Sequence, residues 1–586
     1  MKKIVKYTVV IIFSLILFNG CEDFLDTKSY TEKDTSSFPK NPGDASQMLT
    51  GVYTMLNHTA GDYYSIAELT CDDRFGGGGS NDPYWQGLNH LMYSQPNNME
   101  WYWNNRYRGI SRANDFLLAM ETMDDFDSKS QLIGEAKILR ANWYFELVQV
   151  LGNVPLVLAS PASADEAKKS PPQATQEEIF KQIGTDLWEA YNEMPNVKYN
   201  TFADGHTTKW AAAGLLARVY LFYTGFYNKA DLPREGGAVT KSDVVAALEV
   251  LIKDSGHDLL EDYRQLWSYS NVASMDDYPF VSDMKDKGLN WLEGSTNKET
   301  IFVTKYTNIG EWWTPSTNRG TNQYSNQTIT CSGLRGQKNI TSFFPFTQGW
   351  GMGPVNTNLW SQWLSDDASD MRRKASILNI NDPDGDEGFK PDDWTWGGDT
   401  QMEETGLWQK KVMAVGAYKN GNLLDSFMSH PLYQNSPRND YQLEHGTDMI
   451  RLRFADVLLM HSELTETADG MNKVRKRAGL SDIAYSLPAL QKERRYELAF
   501  EGLRWGDIRR WGIAETELAK MYGVDIYNNE KKMKMKEQTP GGVAQRYKDT
   551  KGFYMIPETE MMKANGEYVQ NPGWENPNTR FTSWRE

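Results

Sequence analysis

The sequence predicts a mainly α-helical protein in which a helical scaffold carries a long, irregular and loop-rich insertion. Apolar residues recur at helical spacing in both the N-terminal and the C-terminal parts of the chain. Between these parts, over residues 260–445, the helical periodicity fades and Gly, Asn, Asp, Ser, Thr and Trp accumulate. Strand-like stretches in that region, such as residues 300–304, are short. These observations favour helices at both ends of the chain and loops in the middle.

The first twenty residues have the pattern of a secretory signal peptide. Three lysines among the first six residues precede an apolar run over residues 7–18, and Gly20 stands directly before Cys21. The apolar run is too short to span a bilayer, which needs about 20 residues. Cys21 resembles the acylated cysteine of a bacterial lipobox, so we predict removal of residues 1–20 and lipidation at Cys21. Plain secretion, with Cys21 incidental, is the alternative.

The chain is strongly acidic. Its formal net charge is −16, and removing residues 1–20 takes away three lysines and makes it −19. This balance argues against nucleic acid as a partner, because Lys and Arg must neutralise its phosphates. It argues equally against attachment to anionic lipid through a basic patch, whereas acyl chains on Cys21 need no such patch. The remaining cysteines, Cys71 and Cys331, have neither zinc-site spacing nor the density of a disulfide framework.

The mature chain is interpreted as a tether followed by one domain. Residues 21–45 are polar, contain Pro39 and Pro42, and are predicted to form the lipidated N-terminus and tether. The single domain comprises an N-terminal helical part (46–259), the irregular insertion (260–445) and a C-terminal helical part (446–586).

Helical periodicity assigns the N-terminal elements. Helices are predicted over residues 46–57, 99–123, 131–151, 175–193, 207–223 and 242–255. The clearest is 131–151, where apolar residues recur every three or four positions and lie on one face, and where Gly152 and Pro155 end the helix. Residues 72–98 are rich in Gly, Asn and Asp and are predicted to be loop.

Helices return in the C-terminal part. They are predicted over residues 452–466, 469–478, 487–511 and 558–564. Paired helices from both ends of the chain suggest a solenoid-like core. The sequence has no clean 34-residue repeat, so periodicity alone supports a helical scaffold with loops.

Several segments resemble the SusD/RagB family of outer-membrane nutrient-binding lipoproteins. They occur in the order typical of that family and span nearly the whole mature chain. These segments are Cys21–Asp26, Gly134–Val157, Thr207–Gly225, Met449–Glu466 with the following residues to Leu480, Glu493–Gly512, Ile556-Pro557 and Gln570–Trp574.

The resemblance implies a fold, a place and partners. It implies a core of tetratricopeptide-like helix pairs, an α-α superhelix, with a variable irregular region. It implies a lipoprotein on the outer face of the outer membrane that caps a SusC-like TonB-dependent transporter. It also implies binding of an oligosaccharide or polysaccharide without catalysis and without a cofactor or metal.

Two polar loops offer candidate ligand contacts. Sugars pack their C–H faces on aromatic rings and pair their hydroxyls with polar side chains. Both kinds of side chain occur together in two loops: Asp72, Arg74, Asn81, Tyr84 and Trp85 in the first, and Tyr306, Trp312, Trp313, Asn318 and Arg319 in the second. The alternative is a structural role, in which these aromatic residues pack against the scaffold or the transporter.

Glu497 and Glu501 are the sequence's best candidates for an enzymatic pair. On one helix they would share a face and resemble the two carboxylates of a retaining glycosidase. Arg494 and Arg504 lie three residues outside them and should lower their pKa values, whereas a general acid needs a raised pKa. We therefore expect a structural ion-pair lattice.

Other motifs are interpreted as structural. The turn Asp382–Asp386 is oxygen-rich but lacks the spacing of a calcium loop. Trp350 is interpreted as structural, and Trp394 and Trp396 form a third, weaker candidate for ligand contact. Three functional hypotheses remain besides a glycan-binding lid: the same fold binding peptides or another nutrient, an assembly subunit without a ligand, and a surface glycosidase.

Overall fold

The structure, a computed structural model, describes most of the chain beyond the predicted tether. The described residues are 38–161, 163, 165–166, 169–307, 325–339, 342–416, 445–575 and 579–585, with the backbone of two short strands between 418 and 423. Within these ranges no helix has both the length and the apolar character that crossing a membrane requires.

The N-terminal part is a stack of long helices. Their bounds are α1 (Pro42–Leu69), α2 (Pro83–Asn89), α3 (Glu100–Thr122), α4 (Lys129–Leu151), α5 (Gln176–Glu193), α6 (Lys209–Phe226) and α7 (Lys241–Asp254). The hairpin of β1 (Leu232–Arg234) and β2 (Gly237–Val239) lies between α6 and α7. Helix α3 packs on α4, α4 on α5, α5 on α6 and α6 on α7, while α1 covers both α3 and α4.

The central part is irregular, as expected from the sequence. Its helices are α8 (Ser282–Asp286), α9 (Gln327–Cys331), α10 (Thr357–Asp366) and α11 (Met371–Ser376), with short 3₁₀ turns at Tyr263–Leu266, Ser268–Ser270, Pro279–Val281, Gly294–Thr296 and Pro391–Asp393. Its strands are β3 (Thr300–Thr304), β4 (Ile377–Asn379), β5 (Leu407–Gln409), β6 (Tyr418–Lys419) and β7 (Asn422–Leu423). This part has a hydrophobic core of its own, which includes Tyr263, Tyr278 and Trp408.

The C-terminal part returns to the scaffold. Its elements are β8 (Met449–Arg453), α12 (Phe454–Thr465), α13 (Asp469–Arg477), α14 (Leu487–Glu497), α15 (Arg504–Arg510), α16 (Ala514–Ala519), β9 (Asp525–Asn528), β10 (Lys531–Lys534), α17 (Gly542–Thr550) and α18 (Glu558–Lys563). Strand β8 pairs antiparallel with β3, which joins the C-terminal part to the insertion. Helix α12 packs on α7 and α15 packs on α6, so both ends of the chain build one core.

Local sequence explains where the scaffold helices begin and end. Thr175 accepts a hydrogen bond from the backbone N–H of Glu178, whose carboxylate accepts one from the backbone N–H of Thr175, and this capping box starts α5. Gly152 adopts φ of 67° directly after α4, where a side chain would be strained. Trp143 of α4 is fully buried and donates its indole N–H to Thr59 of α1 over 3.0 Å.

Three sequence predictions are wrong in detail. The first helix, predicted over 46–57, runs over Pro42–Leu69 and so includes the last residues assigned to the tether. The predicted helix 487–511 is two helices, because Phe500 (φ 64°) and Gly502 (φ 74°) adopt left-handed conformations that break it after Glu497. The predicted loop 72–98 contains the short helix α2. Its first residue is Pro83, and proline is favoured at the first helical position. The prediction of a mainly helical protein is confirmed.

Candidate functional site

One cleft collects residues from the scaffold and from the insertion. It lies beside α1 and has about 780 Å³ of empty space. We call it the aromatic cleft, and its lining residues are Asn57, His58, Gly61, Asp62 and Ser65 of α1, Trp85 of α2, Trp101 of α3, Tyr306 after β3, Ser325, Gln327, Thr328, Cys331 and Trp350.

The aromatic residues of this cleft come from distant parts of the sequence. Trp101, in the first turn of α3, is 40% exposed. Trp85 and Trp350 are half-buried, and Trp85 meets Tyr84 edge to face with ring centroids 5.1 Å apart. Tyr306 is only 7% exposed, because it packs with the apolar cluster of Ala60, Tyr64 and Met449. The cleft therefore has three partly accessible tryptophans above a buried tyrosine.

The polar side of the cleft is supplied by α1. Burial raises the pKa of Asp62 to about 6, although Arg106 opposes the shift. The Oδ2 atom of Asp62 is buried and accepts no hydrogen bond from the described residues. Burial also lowers the pKa of His58 to about 4, so this imidazole is neutral at pH 7. Among the described residues that line the cleft there is no lysine or arginine.

The family follows from two matches that together span most of the chain. A family model described as "Starch-binding associating with outer membrane" matches residues 23–221, and the model of the SusD family matches residues 298–574. The chain belongs to the SusD/RagB family. Its fold class, a tetratricopeptide-like helical scaffold with an irregular insertion, is confirmed.

Relatives and solved structures of SusD-like proteins agree with this assignment. A SusD-like protein of Bacteroides ovatus is 23% identical over 74% of this chain and 70% of its own. SusD-like protein P2 of Formosa agariphila is 24% identical over 86% and 90% of the two chains. A laminarin binding SusD-like protein superimposes with a TM-score of 0.66 at 25% identity, covering 91% of this chain and all of its own. Surface glycan-binding protein A from Bacteroides thetaiotaomicron, in complex with laminarihexaose, gives 0.65 at 19% identity, covering 90% and 99%.

The ligand contacts predicted from the sequence of this SusD/RagB protein do not all lie at the cleft. Trp85 and Tyr306 line the aromatic cleft, Tyr84 lies half-buried against Trp85, and Asn81 is exposed. The sequence-predicted contacts Trp312, Trp313, Asn318 and Arg319 lie outside the described residues, as does Cys21.

Asp72 and Arg74 are engaged inside the protein. Asp72 pairs with Arg495 (2.9 Å) and Arg504 (2.8 Å), which hold its pKa well below the ordinary value against the effect of burial. Arg74 donates to the backbone oxygen of Gly353 over 2.9 Å. Both side chains are at least 96% buried, so neither is retained among the proposed ligand contacts.

The sequence analysis gives no ligand role to three residues of the cleft. Trp101 and Trp103 lie two positions apart on one helix and so point to different faces, and because Trp103 is buried (5% exposed), Trp101 faces outward. Trp350 was interpreted as structural, yet it lines the cleft. Asp62 carries no motif, and only its burial at this position makes it notable.

Glu497 and Glu501 form part of a buried ion-pair lattice. Glu497 is the last residue of α14 and pairs with Arg453 (2.5 Å), Arg372 (3.0 Å) and Arg477. Burial acts to raise its pKa, but these three guanidiniums outweigh burial and hold it far below the ordinary value. Glu501, beyond the break in the helix, pairs with Lys411 (2.6 Å) and Arg453 (2.7 Å), and its pKa is also lowered. Neither group can act as a general acid at neutral pH.

The weaker candidates are structural too. Asp382 accepts hydrogen bonds from three backbone N–H groups of its own turn, and Asp384 and Asp386 both pair with Lys374. These carboxylates are therefore satisfied within the protein. Trp394 is 4% exposed, and Trp396 packs against Tyr527 with ring centroids 4.9 Å apart.

Proposed function

We propose that the aromatic cleft binds a glycan at the cell surface and that the protein passes it unaltered to a SusC-like TonB-dependent transporter. The observation that carries the proposal is the convergence of Trp85, Trp101 and Trp350 on one cleft beside Asp62. In this proposal a lipid on Cys21 holds the protein to the outer membrane.

The chemistry of the cleft suits a sugar. A pyranose ring has an apolar C–H face that packs on an indole ring, and its hydroxyls donate to carboxylates. The Oδ2 of Asp62 has no partner within the described part of the chain and needs a donor, because a buried acceptor without one costs about 1–3 kcal/mol. Laminarin and laminarihexaose in the names of two similar structures make β-1,3-glucan a natural first probe.

The absence of chemistry on the ligand is part of the proposal. The carboxylate pair that most resembles a glycosidase pair is held ionised by arginines and lies in the core. The proposed cleft offers one carboxylate among its described lining residues, whereas glycosidases flank the bond with two.

Binding of oligosaccharides to the purified protein tests the cleft. Calorimetry with neutral and acidic hexasaccharides, and with peptide pools as competitors, should give a glycan that binds. Replacing Trp85 or Trp101 by alanine should weaken it about 2- to 10-fold each, because an aromatic contact contributes about 0.5–1.5 kcal/mol beyond area burial.

Trp188→Ala is the matched control. Trp188 lies half-buried on α5, with the Arg234 guanidinium 5.3 Å from its ring, and does not line the cleft. It should leave affinity unchanged. Undiminished affinity in both cleft variants, or binding of peptides in preference to every glycan, would contradict the proposal. Delivery is tested separately by co-purification with the transporter and by glycan uptake in cells that carry the cleft variants.

A further inference from the structure

A second cavity lies beside the aromatic cleft, and Tyr64 of α1 is one of its lining residues. The space inside it and at its open mouth is together about 1090 Å³, and its walls are the loop around residues 199–208, the segment 291–297 and the start of β8. Tyr64 and Met449 line this cavity, whereas Tyr306, which packs with them, lines the aromatic cleft. We call it the inner cavity, and an apolar layer of these three residues separates it from the cleft.

The inner cavity has aromatic walls. Trp291 is half-buried and packs on the insertion's core, and Tyr199 and Phe202 are half-buried on the facing loop. Trp267 is 4% exposed, and its indole N–H lacks an acceptor among the described residues. A buried donor without an acceptor costs about 1–3 kcal/mol, and an oxygen atom of a bound ligand would supply the acceptor.

The polar groups at the inner cavity include the carboxylates of Asp204, Glu293 and Asp448. Lys305 bridges Asp204, at 2.7 Å, and Asp448. Burial raises the pKa of Asp448 to about 7, with smaller contributions from the charges of Glu293 and Asp204 and with Lys305 opposing the shift. Lys411 also lines the cavity, but its ammonium is fully buried and pairs with Glu501. His206 also lines the cavity and is held by Glu135 (2.8 Å), so carboxylates outnumber cations at the accessible rim.

We propose that the inner cavity is a second carbohydrate subsite that takes an uncharged sugar unit. Its aromatic walls would pack on the sugar ring, and Asp204 and Asp448 would accept hydrogen bonds from hydroxyls. Asp204, Glu293 and Asp448 outnumber Lys305 at this site, so uronates and sulfated sugars are disfavoured, since like charges in a poorly solvated site are unfavourable. This inference rests on the proposed glycan-binding function and adds to it a second site and a class of sugar.

The two sites are linked through neighbouring residues. Asn57 of the aromatic cleft donates its side-chain N–H to the backbone oxygen of Lys305 over 2.5 Å, and Tyr306 follows directly. The side chain of Lys305 reaches the carboxylates at the inner cavity, while the next residue lines the cleft. The two sites are therefore neighbours, and one glycan chain, or two, would occupy them.

Calorimetry of the full-length mature protein tests the inference through stoichiometry. The probes are neutral β-1,3-, β-1,4- and α-1,4-linked glucose disaccharides, which are short enough to occupy each site separately, and digalacturonate as the charged control. The variants are Trp101→Ala for the cleft, Trp291→Ala for the inner cavity, and Ser295→Trp, which fills the cavity mouth from an exposed position without removing core.

The expected result is two disaccharides per protein. The affinity of one should weaken about 2- to 10-fold in Trp101→Ala, and that of the other should weaken similarly in Trp291→Ala and be lost in Ser295→Trp. Digalacturonate should not displace the cavity-bound sugar. One site that is weakened in Trp101→Ala and unchanged in both cavity variants would overturn the second subsite and leave the cleft intact. One site lost only in the cavity variants would overturn the cleft instead. No binding of any neutral disaccharide would overturn both. Retained cleft binding in Trp291→Ala shows that this variant is folded.

Discussion

Glu497→Gln separates a structural from a catalytic role for the densest charge cluster. The substitution keeps the shape of the side chain and removes the charge that faces Arg372, Arg453 and Arg477. Glu497 is fully buried, so its partners cannot turn to solvent without opening the core. Removing one member of such a buried pair typically costs 3–5 kcal/mol, because an uncompensated charge remains.

The expected cost lies at the lower end of that range. Arg372 keeps Asp370 (2.8 Å), while Arg453 and Arg477 both keep Glu299 (2.8 Å each). We therefore expect the free energy of unfolding to fall by about 3 kcal/mol. Lys492→Gln on the same helix is the control, since its pair with Asp366 is at the surface (3.2 Å) and should contribute less than about 1 kcal/mol.

Chemical denaturation followed by circular dichroism measures both values. The pKa of Glu497 is lowered in the folded state, so its contribution is present above the ordinary carboxyl pKa and is lost as pH falls through the lowered value. The difference between Glu497→Gln and the parent protein should therefore shrink in acid. Unchanged unfolding free energy, together with sugar release by the parent protein that the variant lacks, would refute the structural role.

Three further predictions concern other parts of the molecule. In the parent protein the free energy of unfolding should fall as pH rises from about 4 to 7, because the raised pKa of Asp448 makes the folded state bind an extra proton in that range. Asp448→Asn should abolish this fall, and denaturation across pH measures it. Gly109→Ala should destabilise by about 1–3 kcal/mol, because its Cβ would lie 2.8 Å from the Trp143 ring, whereas Gly51→Ala, with open space, should not. Cys331, whose pKa burial raises to about 12, should react with a thiol reagent at pH 8 on the order of a thousandfold more slowly than an ordinary cysteine.

The helices of the scaffold were predicted well where neighbouring residues determine their starts and ends. Helix α4 begins two residues before its predicted start and ends where Gly152 predicts. The prediction of a single helix over 487–511 was wrong. The charged residues there are compatible with a continuous helix, so they predict no break. The break depends on Phe500 adopting a left-handed conformation, which the surrounding fold imposes and no sequence pattern indicates.

The candidate site was less predictable because its partners are distant in sequence. Asp72 and Arg74 lie in a polar, glycine-rich loop and resemble ligand contacts. Asp72 instead pairs with arginines 423 and 432 positions further along the chain, and no local pattern reveals that. Trp85 and Tyr306 line the cleft and are conspicuous in the sequence because they are aromatic residues in polar segments, and their contact with a ligand stays a prediction. Trp101 was not identified, because it lies in a helix whose neighbouring residues are buried on the other face.

A crystal structure with the tightest-binding oligosaccharide tests most directly whether the aromatic cleft holds the glycan. We expect a sugar ring packed on Trp85 or Trp101 and a hydroxyl within hydrogen-bonding distance of Asp62. A bound oligosaccharide that touches none of these residues, with the cleft empty, would contradict the proposed function.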